Sequence, residues 1–213
     1  MVDAWLVKGD TSAAIRTLDE IVGKLNLDED APQIVASRIK IRIHQGDLPR
    51  LKKELLNLSG AASPADPIFN DGLELMALLE GNGEENDPQL QSYLKAERFV
   101  SQHKLTEAIK TLGDIRGGST SIADEAGVRS IQILLALGNS KDAVKAMDNF
   151  LSTYSDSPWR AHVLVWRGED LQFTQNNPQA AIPFYEEVII NHPQYLGIQE
   201  LRIRLRSLIG GGS

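Results

Sequence analysis

The sequence predicts an all-α fold assembled from antiparallel helix pairs. One short turn-and-helix pattern recurs five times along the 213 residues. Apolar residues on both sides of those turns recur at three- and four-residue steps, the helical period. Strict apolar–polar alternation, the strand signal, is nearly missing; it occurs only in the six residues "LRIRLR" from Leu201. There a helix also places Ile198, Leu201, Leu205 and Leu208 on one stripe, and with no partner strand in the sequence the helix is the reading adopted.

The recurrences are "KGDTSAAIRTL" from Lys8, "QGDLPRLKKEL" from Gln45, "QHKLTEAIKTL" from Gln102, "LGNSKDAVKAM" from Leu137 and "QNNPQAAIPFY" from Gln175. Their turn residues are Gly9, Gly46, His103, Gly138 and Asn176, separated by 37, 57, 35 and 38 residues. The long interval has room for one extra helix and its loop. Around Gly138, Val128, Ile131, Leu134 and Leu135 form the stripe before the turn; Ala143, Val144, Met147, Phe150 and Leu151 form the stripe after it.

Helix starts are marked by a capping oxygen ahead of proline: Asp66-Pro67, Asp87-Pro88, Ser157-Pro158 and Asn177-Pro178. The oxygen accepts an orphan N–H, and proline fits the first helical position, where its missing N–H costs nothing. Ser121, with Asp124 three residues on, marks another start. Helices are expected over 3–8, 11–25, 32–45, 48–58, 67–80, 88–102, 104–115, 121–137, 140–154, 158–174, 178–190 and 195–209. Pro183 falls inside one of them, where a kink or loose turn is expected. The acidic stretches from Asp28 and Glu84, and the glycines of Gly81-Asn82-Gly83 and Gly117-Gly118, belong to connections.

This pattern resembles the tetratricopeptide repeat, a helix-turn-helix unit of about 34 residues. The stretches "GNSKDAVKAMDNFLSTYSDSP" and "SPWRAHVLVWRGEDLQFTQNNPQAAIPFYEEVIINHP" carry the resemblance best. In the second, Gly168 stands at the small-residue site, Ala180 and Ala181 allow close approach, and Pro193 closes the unit; Ala96, Phe99 and Ala108 match around the His103 turn. The match covers most of 88–193, only the turns of 9–58, and not 60–87. It implies one right-handed α-solenoid over 1–209, with repeats around 3–25, 32–58, 88–115, 121–154 and 158–190, an extra helix at 67–80 and a C-terminal capping helix at 195–209. The join "YSDSPWRAHVLVWRG" is similar to that of bacterial envelope tetratricopeptide proteins, which implies a periplasmic, assembly-type role; cytoplasm stays open. Gly210 to Ser213 reads as a linker scar, and eight residues before Gly9 are few for a first helix, so a fragment of a longer protein is expected.

Composition and motifs narrow the function classes. A net charge of −7 argues against a large phosphate-binding surface, so nucleic acid is not an expected partner. No apolar run approaches the ~20 residues of a membrane span. Cysteine is absent, which removes disulfides and thiolate chemistry. His44, His103, His162 and His192 have no ligand partner at helix spacing, and "RGGST" at Arg116 lacks the lysine of a phosphate loop. No catalytic residue, metal or cofactor is therefore expected, and the chain is not read as an enzyme.

Setting the repeats in register predicts the side chains that line the concave face of the solenoid. They are Gln33, Ala36, Lys40 and Ile43; Leu90, Tyr93, Glu97 and Val100; Glu125, Val128, Gln132 and Leu135; His162, Val165, Glu169 and Gln172. The candidate partner-binding residues are Tyr93, Glu97, Glu125, Gln132, His162 and Glu169. Carboxylates with few cations suit an apolar peptide or helix carrying basic residues. Trp159 and Trp166 share a face, either as interhelix packing or as an aromatic anchor; Arg202, Arg204 and Arg206 are either a wet helix face or an anion contact. The expected function is a scaffold for a peptide, helix or partner domain. The alternative is a helical accessory segment of a larger enzyme or a secretion or envelope assembly machine.

Overall fold

A computed structural model describes the chain apart from residues 64, 66, 82–86, 116–121 and 211–213. The caps expected from Asp66 and Ser121, the Asn82-Gly83 and Gly117-Gly118 connections, and the end of the linker-like tail lie outside the described residues. Twelve α-helices and no strand are found among the rest. They are α1 (Val2–Lys8), α2 (Thr11–Leu25), α3 (Pro32–Gln45), α4 (Leu48–Ala61), α5 (Pro67–Gly81), α6 (Pro88–Ser101), α7 (Leu105–Gly113), α8 (Ile122–Ala136), α9 (Ser140–Thr153), α10 (Arg160–Glu169), α11 (Pro178–Asn191) and α12 (Ile198–Gly210); α10 runs on into a π-helical stretch, Asp170–Thr174. The helices fall into two compact units, Met1–Ala126 and Gly127–Ser213, with the boundary inside α8.

The five turn residues explain the pairing. All carry positive φ: Gly9 80°, Gly46 69°, His103 58°, Gly138 68° and Asn176 50°. A left-handed residue after the last helical turn lets the chain reverse while the freed carbonyls find donors. In four of the turns the following N–H reaches back five residues: Asp10 to the Trp5 carbonyl at 2.9 Å, Asp47 to Arg42 at 3.2 Å, Lys104 to Phe99 at 2.8 Å and Asn139 to Leu134 at 3.0 Å. The same residues then start the next helix. The carboxylates of Asp10 and Asp47 and the amide oxygen of Asn139 accept from the N–H three residues on, at 2.8, 3.1 and 3.4 Å. So short a connection forces a hairpin of helices.

In the first unit, α1 packs on α2, α2 on α3, α3 on α4 and α6 on α7. Leu6, Ala14, Leu18, Ile34 and Ile41 form the core of the first helices, with Trp5 packed against it. The extra helix falls where the long interval between turns requires it. α5 packs on α4, while α6 packs on α3. The α3–α6 contact includes the Arg98 guanidinium donating to the His44 carbonyl at 3.1 Å and a 2.6 Å hydrogen bond between the Ser101 hydroxyl and His44 Nε2. Burial, and then the Arg98 charge, hold the His44 imidazole below its ordinary pKa.

In the second unit, α9 packs on α10, α10 on α11 and α11 on α12, as in a helical repeat. Leu164, Val165, Ala181, Tyr185, Val188, Ile198 and Leu201 share one core. The "LRIRLR" segment is helical, with Leu201 inward and Ile203 exposed. Two expected starts differ. α10 begins at Arg160, because the Ser157 hydroxyl accepts from the Trp159 N–H at 3.2 Å and the Ser157 carbonyl from Arg160 at 3.0 Å, a turn ahead of the helix. α12 begins at Ile198, which leaves Tyr195 in the preceding turn. α11 continues through Pro183 as helix; the bond that proline removes lies early in the helix, and its ring is exposed. No helix among the described residues is long and apolar enough to cross a membrane.

Candidate functional site

The second unit carries the most developed surface constellation, on one stripe of α10. Residues three and four apart on a helix are neighbours, so Trp159 just ahead of α10, His162, Trp166 and Glu169 follow one another along it. The His162 ring centroid lies 5.3 Å from that of Trp159 and 6.4 Å from that of Trp166. Tyr195, from the turn before α12, meets it edge-on at 5.0 Å. All four side chains are half-buried. Trp159 Nε1 and His162 Nδ1 are enclosed without a hydrogen-bond partner. Burial lowers the His162 pKa from its ordinary value, favouring the uncharged ring.

At the other end of the stripe the helix widens. The Gln175 N–H donates to the Asp170 carbonyl at 2.9 Å, and Asn177 reaches back six residues to Leu171 at 2.8 Å, one more than in the other four turns. The i→i−5 pattern makes Asp170–Thr174 a single π-helical turn, a feature that occurs often at functional sites. The buried Asp170 carboxylate ties down this wide turn, accepting from Gln175 Nε2 at 2.7 Å and Arg167 Nη1 at 3.3 Å. Phe173 is thereby left 64% exposed.

Glu169 sits between these two ends and accepts from Arg204 Nη1 of α12 at 2.6 Å. The Arg204 guanidinium lies 5.5 Å from the ring centroid of Phe173 and 5.7 Å from that of Tyr185. The Tyr185 hydroxyl donates to Gln172 Oε1 at 2.9 Å. Burial, and then the Glu169 carboxylate, raise the Tyr195 pKa. The stripe is thus a set of neutral aromatic rings closed at one end by an internally compensated ion pair. Rings of this kind combine apolar area with a polar edge.

Of the six residues chosen from sequence, the structure brings His162 and Glu169 into this constellation. Tyr93 and Glu97 are one turn apart on α6 and both half-buried; Glu125 is half-buried near the start of α8. Gln132, further along α8, accepts from Arg129 Nη1 at 3.1 Å. The register used for the lining side chains is corrected at three positions: Leu90, Val128 and Val165 are core residues; for Leu90 and Val165 the reason is that α6 packs on both α3 and α7, and α10 on both α9 and α11, which buries part of the face that a single-period register leaves open. Arg204, one of the three arginines noted in the sequence, has an anionic contact inside the chain. Tyr195 and Phe173 were not anticipated. Phe173, seven residues beyond Trp166, could have been reached by extending the tryptophan spacing; Tyr195 falls in the expected 195–209 helix, three residues before Ile198, but the structure places it in the turn ahead of α12.

No protein-family model, curated protein or solved structure matches the chain.

Proposed function

We propose that this chain is a protein-interaction scaffold of the tetratricopeptide type, holding a peptide or helix of a partner on the aromatic stripe of α10. The observation that carries this reading is the row of half-buried rings at Trp159, His162, Trp166 and Tyr195, ended by the Glu169–Arg204 pair. Half-buried aromatics on a rigid helix lose little side-chain entropy on binding and dominate interface energies when a partner completes their burial. Tyr93 and Glu97 provide a second, smaller set on α6.

The test begins with a random peptide library displayed on phage and selected on the immobilised chain. An enriched peptide is then measured by calorimetry against Trp166→Ala, Glu169→Lys and, as an outside control, Lys145→Ala on α9. Binding should weaken by ~10-fold or more for Trp166→Ala, in line with an aromatic hot spot, and be unchanged for Lys145→Ala. Tyr93→Ala and Glu97→Lys report on the α6 set. Peptides that bind Trp166→Ala and the parent equally would remove α10 as the site.

A further inference from the structure

We propose, resting on the scaffold function above, that the α10 stripe holds a proline-rich segment of the partner in the polyproline II conformation. Shape narrows the occupant first. The His162 imidazole meets Trp159 at 5.3 Å, Trp166 at 6.4 Å and Tyr195 at 5.0 Å between ring centroids, tilted or edge-on to each. It therefore fills the space between the two tryptophans that a partner's side chain would otherwise enter. A docking helix inserts each knob into a hole formed by four residues, and a floor of touching rings offers it few holes. A proline ring is a compact apolar plate that lies against such a floor, as proline-rich segments do in aromatic-lined grooves.

Charge narrows it further. The arginines and the glutamate of α10 are all met within the chain: Arg160 by Glu187 at 2.8 Å, Arg167 by Asp148 at 2.8 Å and Glu169 by Arg204 at 2.6 Å. Glu169, the carboxylate that would draw a basic peptide, is already occupied. No uncompensated charge on this helix calls for an opposite one on the partner, so an uncharged segment complements it. Register agrees. Trp159, just ahead of α10, already has helical dihedrals, so it and Trp166 are separated by the rise of seven residues, ~10.5 Å. A polyproline II segment repeats every three residues, or ~9.3 Å. Prolines at i and i+3 therefore reach both tryptophans, with the middle of the segment over His162 and beside Tyr195. A partner helix also repeats at ~10.5 Å every seven residues, so register admits both conformations, and the filled floor favours the proline segment. Such a segment is also preformed, so docking costs it little entropy.

The probes are two labelled synthetic peptides of equal length, read by fluorescence anisotropy. One is a run of Pro-Pro-Ala repeats; the other is an uncharged helix of alanine, glutamine and leucine with leucines seven apart. The proline peptide should bind the parent and Lys145→Ala alike, and bind Trp166→Ala and Tyr195→Ala at least ~10-fold more weakly. Its affinity should hold when sodium chloride rises to about 1 M, which screens charge pairing. Circular dichroism establishes that each variant retains its helix content. The unsubstituted chain gives a second readout, since it carries three tryptophans. The proline peptide should shift the indole N–H resonances of Trp159 and Trp166 and leave that of Trp5 in place. Equal binding by Trp166→Ala and the parent overturns the proposal, as do unmoved Trp159 and Trp166 resonances or binding lost at high salt. If the helical peptide alone binds, and does so through Trp166, the α10 site stands but its occupant is a helix, and the polyproline proposal is overturned. If neither peptide binds, the polyproline proposal is again overturned, and the phage selection decides separately whether α10 is a site.

Discussion

Gly168 lies directly against the ring of Tyr185: a Cβ at Gly168 would stand 2.9 Å from Cδ1 and 3.0 Å from Cζ of that ring. Tyr185 is fully buried, and its hydroxyl is tied to Gln172 at 2.9 Å, so the ring has no room to retreat. The small residue in α10 therefore sets how closely α11 approaches, and with it the position of the aromatic stripe. Gly168→Ala should destabilise the chain by about 1–3 kcal/mol through overpacking, despite a helix-propensity gain of about 1 kcal/mol. Gly23→Ala provides the contrast, since no atom lies within 4 Å of a Cβ built there. It should stabilise by about 0.5–1 kcal/mol. Urea unfolding measures both, and a Gly168→Ala variant as stable as the parent would show that the ring can shift.

The positive-φ turns give a second contrast. Gly138 has φ 68° and open space where a Cβ would stand, so only backbone conformation opposes substitution. Gly138→Ala should cost about 1–2 kcal/mol, the penalty of the left-handed region for an L-residue. His103 at φ 58° already carries such strain. His103→Gly should therefore leave thermal stability equal to or above that of the parent. A clear loss on His103→Gly would mean that the imidazole makes a contribution beyond its backbone role.

Much of this architecture is legible in the sequence because the turns are local. A left-handed residue followed by Asp or Asn satisfies both helix ends within about six residues, and that signature survives where side-chain similarity has faded, as at Gly46. Features that depend on distant partners are not legible. By its spacing alone Glu169 is a carboxylate available to a ligand, whereas Arg204, 35 residues away, already occupies it. The π-helical turn at Asp170–Thr174 leaves no mark on local propensity, so the sequence presents an ordinary helix end, and the exposure of Phe173 is not legible there. Leu90 and Val165 depart from the expected register for a related reason: period alone does not say how many neighbours a helix has.

Stability should fall with acid earlier than ion pairing alone would produce. Burial holds both His44 and His162 below the ordinary value, and the Arg98 charge adds to the effect at His44. A histidine whose folded pKa is depressed binds more protons when unfolded, so its contribution is complete above about pH 6.5 and is lost as pH falls through the folded value. The thermal midpoint should be level between pH 7 and 8 and decline once pH drops below about 6.5, ahead of the carboxylate range near pH 4. His162→Gln should flatten part of that early decline. A midpoint unchanged from pH 7 down to pH 5 in the parent would contradict the burial of both rings.

Arg204 separates stacking from charge. Its guanidinium meets Glu169 at 2.6 Å and lies near the rings of Phe173 and Tyr185, yet the side chains of Arg204 and Glu169 remain 30% and 37% exposed. Solvent screening at that exposure limits the ion pair to about 1 kcal/mol or less. The planar guanidinium against two rings contributes about 0.5–1 kcal/mol for each contact, and lysine cannot reproduce that geometry. Arg204→Lys should therefore lose about 1 kcal/mol although it keeps the charge, and Glu169→Gln should lose less than Arg204→Lys. A double-mutant cycle between positions 169 and 204 should give a coupling of about 1 kcal/mol or less. Raising sodium chloride to 1 M should change the parent little, because screening acts on the smaller of the two contributions. If Arg204→Lys unfolds at the same urea concentration as the parent while Glu169→Gln does not, charge rather than stacking fastens α12 to α10, and the salt series should then show a matching loss.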